Sequence, residues 1–292
     1  MSSHVSKRVN PEFVNRIRTK VSEAVSLLPS DDYDPLDLEV NIMSRDTLIL
    51  MFAVQYMDDH GIKSLNENPL EEKVIERVTS NVVGALKWRK SIGVTQLSLS
   101  DFSTEFFSRA FYKMATSGTN NDKVTIVMDF GRHKKISAAI NRMEMAYFFV
   151  FTERVTLEHF HAGRDVTVIF DHTNYSLANM DSAFMLEFFS LISSYYPTII
   201  ARTLAYELPW YMKPVVTMAR AILPSRITNS FDVVDRKSIT QKLDKEQVPV
   251  WMGGVCDCKP LTVSPTKELK EVAVRYGVTE TDLQKLVEYY NA

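Results

Sequence analysis

Val166-Thr-Val-Ile-Phe170, Thr203-Leu-Ala-Tyr-Glu207 and Phe231-Asp-Val-Val234 are three short β-rich runs, and the stretch that holds them, residues 166–254, decides the fold. A Phe-rich helical segment, 181–196, lies between the first two and closes at Pro197. Leu208-Pro209-Trp210 and an amphipathic segment, 211–223, lie between the second and third. Strands separated by helices of this length need crossover connections, and crossovers make the strands parallel. The stretch carries no catalytic signature, which suggests a container rather than a reactor.

Outward from this stretch, the first hundred residues read as helices. Asn10-Pro11-Glu12 is a start signal: Asn caps, Pro suits the first helical position, and Glu favours the positive helix end. Val14, Ile17, Val21, Ala24, Val25 and Leu28 then mark one face. The spacing predicts a second helix over 46–59, stopped at Gly61. A third follows Asn68-Pro69, is striped by Val74, Val78, Val82, Ala85 and Leu86, and ends near Trp88-Arg89-Lys90. Residues 111–115 and 124–128 read as strands flanking a turn at 117–123. A long helix is expected over 137–161 with Gly163 as its cap, and two short helices over 266–276 and 279–289.

Composition narrows the function. At 292 residues and 45% hydrophobic content the chain can bury a sizeable core. A formal net charge of -2 gives no global reason to bind nucleic acid. The 16 Phe, 12 Tyr and 13 Met can line an adaptable apolar cavity, although most such residues simply fill a core. Only two cysteines occur, Cys256 and Cys258, too few for a disulfide framework, so a reducing cytoplasmic setting is expected. Cys-x-Cys without a second half is poor zinc spacing, and no metal or cofactor is expected. The first eight residues do not read as a signal peptide. The apolar run 183–201 is interrupted by Glu187 and Pro197 and does not read as a membrane span.

Catalytic constellations are missing from the sequence. It has no Gly-x-Ser-x-Gly, no Gly-x-x-x-x-Gly-Lys and no Gly-x-Gly-x-x-Gly, and its nine glycines leave little for phosphate-cradling loops. Asp171-His172 ends a strand, where α/β sheets bear ligands, but turn capping by Asp171 and Asn174 explains it more simply. Arg132, His133, Lys134 and Lys135 form a basic loop that could meet lipid phosphates; a solvated loop is the plainer reading. In 211–223, Val215, Met218, Ala219 and Ile222 fall on one helical face, with Lys213 and Arg220 free to reach the surface. Such a helix can cover an apolar cavity and lie against a bilayer, or can be an ordinary sheet-covering helix.

These residues resemble the CRAL-TRIO family of lipid-binding and lipid-transfer proteins. The likeness runs over roughly 30–257 through the strand ending in Asp171, Tyr196-Pro197, Leu208-Pro209-Trp210, the helix 211–223, Val248-Pro249 and Gly253-Gly254. Trp88-Arg89-Lys90 matches the motif that ends the family's helical N-terminal part, and Val248 departs from the family's Leu. Within the family, Tyr33-Asp34-Pro35, Trp88-Arg89-Lys90 and Glu207-Leu208-Pro209-Trp210 are most similar to the lipid-binding domain of motile-sperm-domain proteins. The resemblance implies an α/β lobe with a mixed, mainly parallel sheet, preceded by an all-helical N-terminal lobe. It divides the chain into 1–100, a lipid-binding domain over 101–258, and a helical extension over 259–292.

The resemblance also implies a non-enzymatic function: a phospholipid or other lipid held in an apolar pocket under a gate helix and exchanged with membranes. The expected pocket residues are Ile126, Met128, Val168, Phe170, Phe184, Phe188, Tyr206 and Phe231, and those of the gate helix are Tyr211, Val215, Met218, Ala219 and Ile222. Arg132, Lys134, Lys135, Lys213 and Arg220 are candidates for membrane or phosphate contact. Asn229 stands where phosphoinositide-binding members carry a Lys, so inositol-phosphate recognition is not implied. Expected partners are lipid, a transiently touched membrane surface such as the endoplasmic reticulum, and a possible protein partner, with no nucleic acid. The alternative is a protein-interaction module on the same fold with its pocket collapsed.

Overall fold

The structure is a computed structural model that describes residues 9–63, 71–102, 112–116, 123–162, 164–197, 199–222, 228–257 and 266–291. The turn at 117–122, Asn68-Pro69, Gly163, Leu223 and Cys258 lie outside the described residues, as do the side chains of Ala219 and Ile222.

Helices come first. Asn10 accepts a hydrogen bond from the Phe13 amide at 2.9 Å and starts α1, Pro11–Ser26, whose inward face is Phe13, Val14, Ile17, Val21 and Val25. Asp34 caps the short α2, Pro35–Leu38. α3, Thr47–Asp59, is buried nearly all round, consistent with a run of nine apolar residues in thirteen. α4, Glu71–Ser91, buries Val74, Ile75, Val78, Val82, Ala85 and Leu86 against α1 and α3.

A five-stranded sheet follows among the described residues, in the order β1-β2-β3-β4-β5. β1, Tyr112–Thr116, is antiparallel to β2, Lys123–Asp129. β3, Asp165–Asp171, β4, Arg202–Tyr206, and β5, Phe231–Val234, continue the sheet in parallel. Between β2 and β3 runs α5, Ala138–Phe151, which passes through a π-turn at Thr152–Thr156 into α6, Leu157–His161. Between β3 and β4 runs α7, Ser182–Tyr195, started by Asp181, whose carboxylate accepts from the Phe184 amide at 3.0 Å. Between β4 and β5 runs α8, Lys213–Ile222. Successive right-handed crossovers between neighbouring strands put every crossover helix on one face of the sheet.

The other face therefore needs its own cover. Alternation sends Val124, Ile126 and Met128 of β2 and Val166, Val168 and Phe170 of β3 into the main core under the helices. Val127, Ile169, Leu204, Tyr206 and Val234 point the opposite way. They meet Ile239 from α9, Ile239–Lys242, together with Leu243, Val248, Met252 and Cys256. Gly253 (φ 97°) and Gly254 make this return possible: a Cβ on Gly254 would sit 2.0 Å from the Val248 carbonyl oxygen. α10, Leu269–Arg275, and α11, Glu280–Asn291, close the chain; Arg142 donates to the Tyr276 carbonyl, and Tyr289 Oη donates to the Gly131 carbonyl at 2.9 Å.

Candidate functional site

α8 lies over the open edge of the sheet. Its inward positions are Met212 on the preceding turn, Val215 and Val216, the spacing of one helical face. They enclose a cavity of about 40 Å³. Its floor is Phe170, Ala205 and Phe231, its far wall Met185 and Phe189 from α7, and its rim His172, Leu208, Arg220 and Thr228. The strand registers explain the floor: Phe170 pairs with Ala205, and Val168 pairs with Thr203 and that residue with Phe231, so all share the helix-facing side. Ala205 carries the small side chain of that row, and the space lies there.

Burial pushes the His172 imidazole down to about 4, so the ring is neutral. Its Nδ1 lies 2.9 Å from the Phe170 carbonyl, where a protonated Nδ1 donates. A neutral ring suits an apolar wall, because the cost of desolvating a charged one outweighs the pull of the neighbouring Asp171 carboxylate.

The expected pocket residues divide three ways. Phe170 and Phe231 line the cavity. Ile126, Met128, Val168, Phe184 and Phe188 are all buried, but they fill the interface between sheet and helices and do not line the space. Tyr206 is a correction: it follows Ala205 and so faces the other side of the sheet, within the second core.

The expected gate helix also needs correcting. Val215 faces inward, but Met218 is 50% exposed and turned outward. Docking turns Met212, Val215 and Val216 inward and leaves Met218 outside. Tyr211 donates its hydroxyl to the Tyr175 carbonyl at 3.0 Å and anchors the start of the helix. Met185, Phe189, Ala205, Leu208, Met212 and Val216 were not anticipated; the register partner of Phe170 and the i, i+3, i+4 set from Met212 carry the signal that finds three of them, Ala205, Met212 and Val216.

The basic candidates have individual fates. Arg132 donates Nε to Asp129 at 3.0 Å, and Lys134 lies over the Tyr289 ring at 4.9 Å. His133 is buried rather than solvated, 2.7 Å from the Glu144 carboxylate and stacked on Phe184. Burial opposes its charge, but Glu144 and Asp181 outweigh burial and raise its pKa. Lys135 and Lys213 are exposed. Arg220 is exposed yet engaged, with its guanidinium 5.4 Å over the Phe231 ring and Nη2 donating to the Phe231 carbonyl at 3.3 Å. At the carboxyl end of β3, Asp171 accepts from the Thr173 amide at 2.9 Å, a turn cap. No group of three or more His, Cys, Asp or Glu among the described residues could hold a metal. No helix among them is long and apolar enough to cross a membrane.

The site thus combines a mostly parallel sheet with its crossover helices on one face, an apolar hollow beneath the last of them, and a helical region that precedes the sheet. Residues 110–254 match the family model for the CRAL/TRIO domain. Over 95% of its length it is also similar to a solved structure described as the crystal structure of Sfh5, at 12% identity and a TM-score of 0.54, covering 98% of that chain. At that identity the likeness shows the fold. The family is generally one of non-enzymatic lipid-binding and lipid-transfer proteins.

Proposed function

We propose that this protein binds a lipid beneath α8 and exchanges it with membranes, with α8 as a cover that swings from the sheet. The observation that carries the reading is the wall of the hollow: Phe170, Met185, Phe189, Ala205, Leu208, Met212, Val215, Val216 and Phe231 offer nothing but hydrocarbon, sulfur and ring. A buried methylene is worth about 0.8 kcal/mol, so an acyl chain can offset the cost of opening such a space. At about 40 Å³ the hollow has room for about one water molecule, against 300–1,000 Å³ for sites that hold small organic ligands. An acyl chain needs more room than this, so loading requires α8 to move.

Loose tethering makes such movement reasonable. α8 is fixed at its start by Tyr211 and along its length by Arg220 over Phe231, both near the surface. Val233, next to Ala205 in the same row, is 53% exposed, so the hollow reaches the edge strand β5 beside an uncovered position. Arg132, Lys134, Lys135, Lys213 and Arg220 remain candidates for phosphate contact once a membrane is met, and the narrower kinship with motile-sperm-domain proteins belongs to the same proposal.

The contracted volume also supports a second reading, a protein-interaction module whose pocket stays shut. Native mass spectrometry of protein purified from cells separates the two. A bound lipid mass, together with labelling of α8 by a bifunctional phospholipid, supports the carrier. An empty protein that takes up no phospholipid from vesicles, yet retains one stoichiometric partner, removes it.

A further inference from the structure

On the face of the sheet away from the helices, the carboxyl ends of β2, β3 and β4 open into a second space. It is a cleft of about 760 Å³, within the range of sites that hold small organic molecules. Asp129, Asp171 and Tyr206 are register partners at the last positions of three parallel strands, so their side chains stand in one row. Strand carboxyl ends of parallel sheets are where such folds take ligands. The cleft shares only His172 with the apolar hollow, and in character it is the hollow's opposite.

Its walls supply acceptors, donors and flat rings. The row of Asp129 and Asp171 supplies acceptors; Arg236 and Asn174 supply donors; Trp251 supplies a ring that is 42% exposed. The Trp251 indole Nε1 donates to Asp171 at 3.3 Å and its carbonyl accepts from Arg236 Nη1 at 2.8 Å, so the ring is held against the acidic row. Glu207, the next residue after Tyr206, has φ 50°, the only left-handed non-glycine among the described residues. That conformation is unfavourable for a side chain larger than glycine's. It is fixed by Glu207 N donating to the Val234 carbonyl and by Glu207 Oε1 accepting from the Arg236 amide at 3.1 Å.

Charge decides the class of ligand. Three carboxylates (Asp129, Asp171, Glu207) face two guanidinium groups, and His172 is neutral. Arg132 is already tied to Asp129, and Arg236 to a carbonyl, so a polyanion would meet the acidic row with little free positive charge. A small organic cation would occupy little of the volume. A ring bearing several hydroxyls satisfies all three features: it donates to the carboxylates, accepts from Arg236 and Asn174, and lays an apolar face on an indole. The geometry points to the cleft as a binding site for a neutral sugar ring, either free or as the head of a membrane lipid.

The test uses the full chain, titrated with D-glucose and maltose by calorimetry. In a second arm, phosphatidylcholine vesicles with and without glucosylceramide are compared by flotation. Binding of the free sugars identifies a soluble ligand; binding only to the glycosylated vesicles identifies a lipid head. In either case Trp251→Ala weakens binding at least tenfold, and Trp210→Ala, a change at a 78%-exposed tryptophan outside the cleft, leaves it intact. Absence of sugar binding in both arms, inorganic phosphate binding in its place, or binding untouched by Trp251→Ala overturns the proposal. The inference stands apart from lipid carriage beneath α8: protein that carries a phospholipid but ignores every sugar keeps that reading and loses this one.

Discussion

Arg89 lays its guanidinium fork on the carboxylate of Asp37, with Nε to Oδ2 and Nη2 to Oδ1 each at 2.7 Å, and both side chains are 1% exposed. The two residues lie 52 positions apart, one at the end of α4 and one in α2. The same guanidinium also reaches Glu153 in the π-turn after α5, and Tyr196 Oη donates to Glu153 Oε1 at 2.6 Å. Burial works against the charge on Arg89, but Glu153, Tyr196 and Asp37 outweigh burial and hold the group firmly protonated. Next to it Trp88 stacks on Tyr195 at 4.2 Å. The Trp-Arg pair therefore joins the helical lobe to the two helices that roof the sheet.

Removing one member of such a network leaves the others charged and dry. Arg89→Ala is expected to cost about 3–5 kcal/mol, read by urea unfolding. Arg89→Lys should recover little, because a single ammonium cannot span two carboxylates. Arg89→Met with Asp37→Leu and Glu153→Gln should regain much of the loss; a triple variant as unstable as Arg89→Ala would mean that the ion pairs are not what couples the lobes.

Two buried histidines set opposite limits on stability with pH. The His172 pKa falls from about 6.5 in the unfolded chain to about 4 in the fold, so its contribution is present above pH 6.5 and is lost as pH falls toward 4. The full loss is about 3 kcal/mol. His133 runs the other way: its raised pKa contributes stability below about 6.5, which is lost as pH rises through the folded value. Stability should peak near pH 6.5. His172→Phe should flatten the acid limb and His133→Gln the alkaline limb, in unfolding free energies measured from pH 4.5 to 8.

Local signals in the sequence reached the structure intact. Asn10 and Asp181 cap the helices they precede, and the three β-rich runs became β3, β4 and β5, because capping and alternation depend on near neighbours. What was not legible depends on distant ones. Tyr206 and Phe170 both look like pocket residues until the crossover hand fixes which face the helices cover. Met218 and Met212 lie on one segment, and only docking on Phe231 and Ala205 turns Met212 inward and leaves Met218 outside. His133 reads as a loop cation, and is drawn inside by Glu144 and Asp181, 11 and 48 positions away.

Gly254 tests whether the second core is built on a backbone contact. An alanine methyl there would meet Val248 carbonyl oxygen at 2.0 Å and carbon at 2.5 Å, and neither can turn aside as a side chain would. The same carbonyl accepts from Cys256 N at 3.0 Å. Gly254→Ala should destabilise by about 2–4 kcal/mol. Hydrogen exchange should show the opening at 248–256 before it appears in α5; a variant with unchanged protection at 248–256 would contradict the close approach.

Arg220 is the accessible tether of the cover. Its stacking on Phe231 and its bond to the Phe231 carbonyl act only while α8 is down. A cation over a ring near the surface is worth roughly 0.5–1 kcal/mol, so Arg220→Gln should raise the open population, and the rate of lipid uptake from vesicles, roughly two- to fivefold. Fluorescent phospholipid dequenching measures that rate. An unchanged rate would place the hinge elsewhere.

Ala205 offers the sharpest separation of fold from function. It is 1% exposed in the middle of the floor, and the space of about 40 Å³ lies against it. Closing that space with Ala205→Val, a residue that also suits a strand, should stabilise the empty protein by about 1 kcal/mol, since cavities cost about 24 cal/mol per Å³. The same methyl groups stand where a lipid chain would rest, so loading should fall sharply while the melting temperature rises. Stabilisation with undiminished lipid uptake would mean that the ligand enters somewhere other than beneath α8. Destabilisation would mean that the neighbouring Phe170 and Phe231 already fill the floor, leaving the closed hollow with no slack to give.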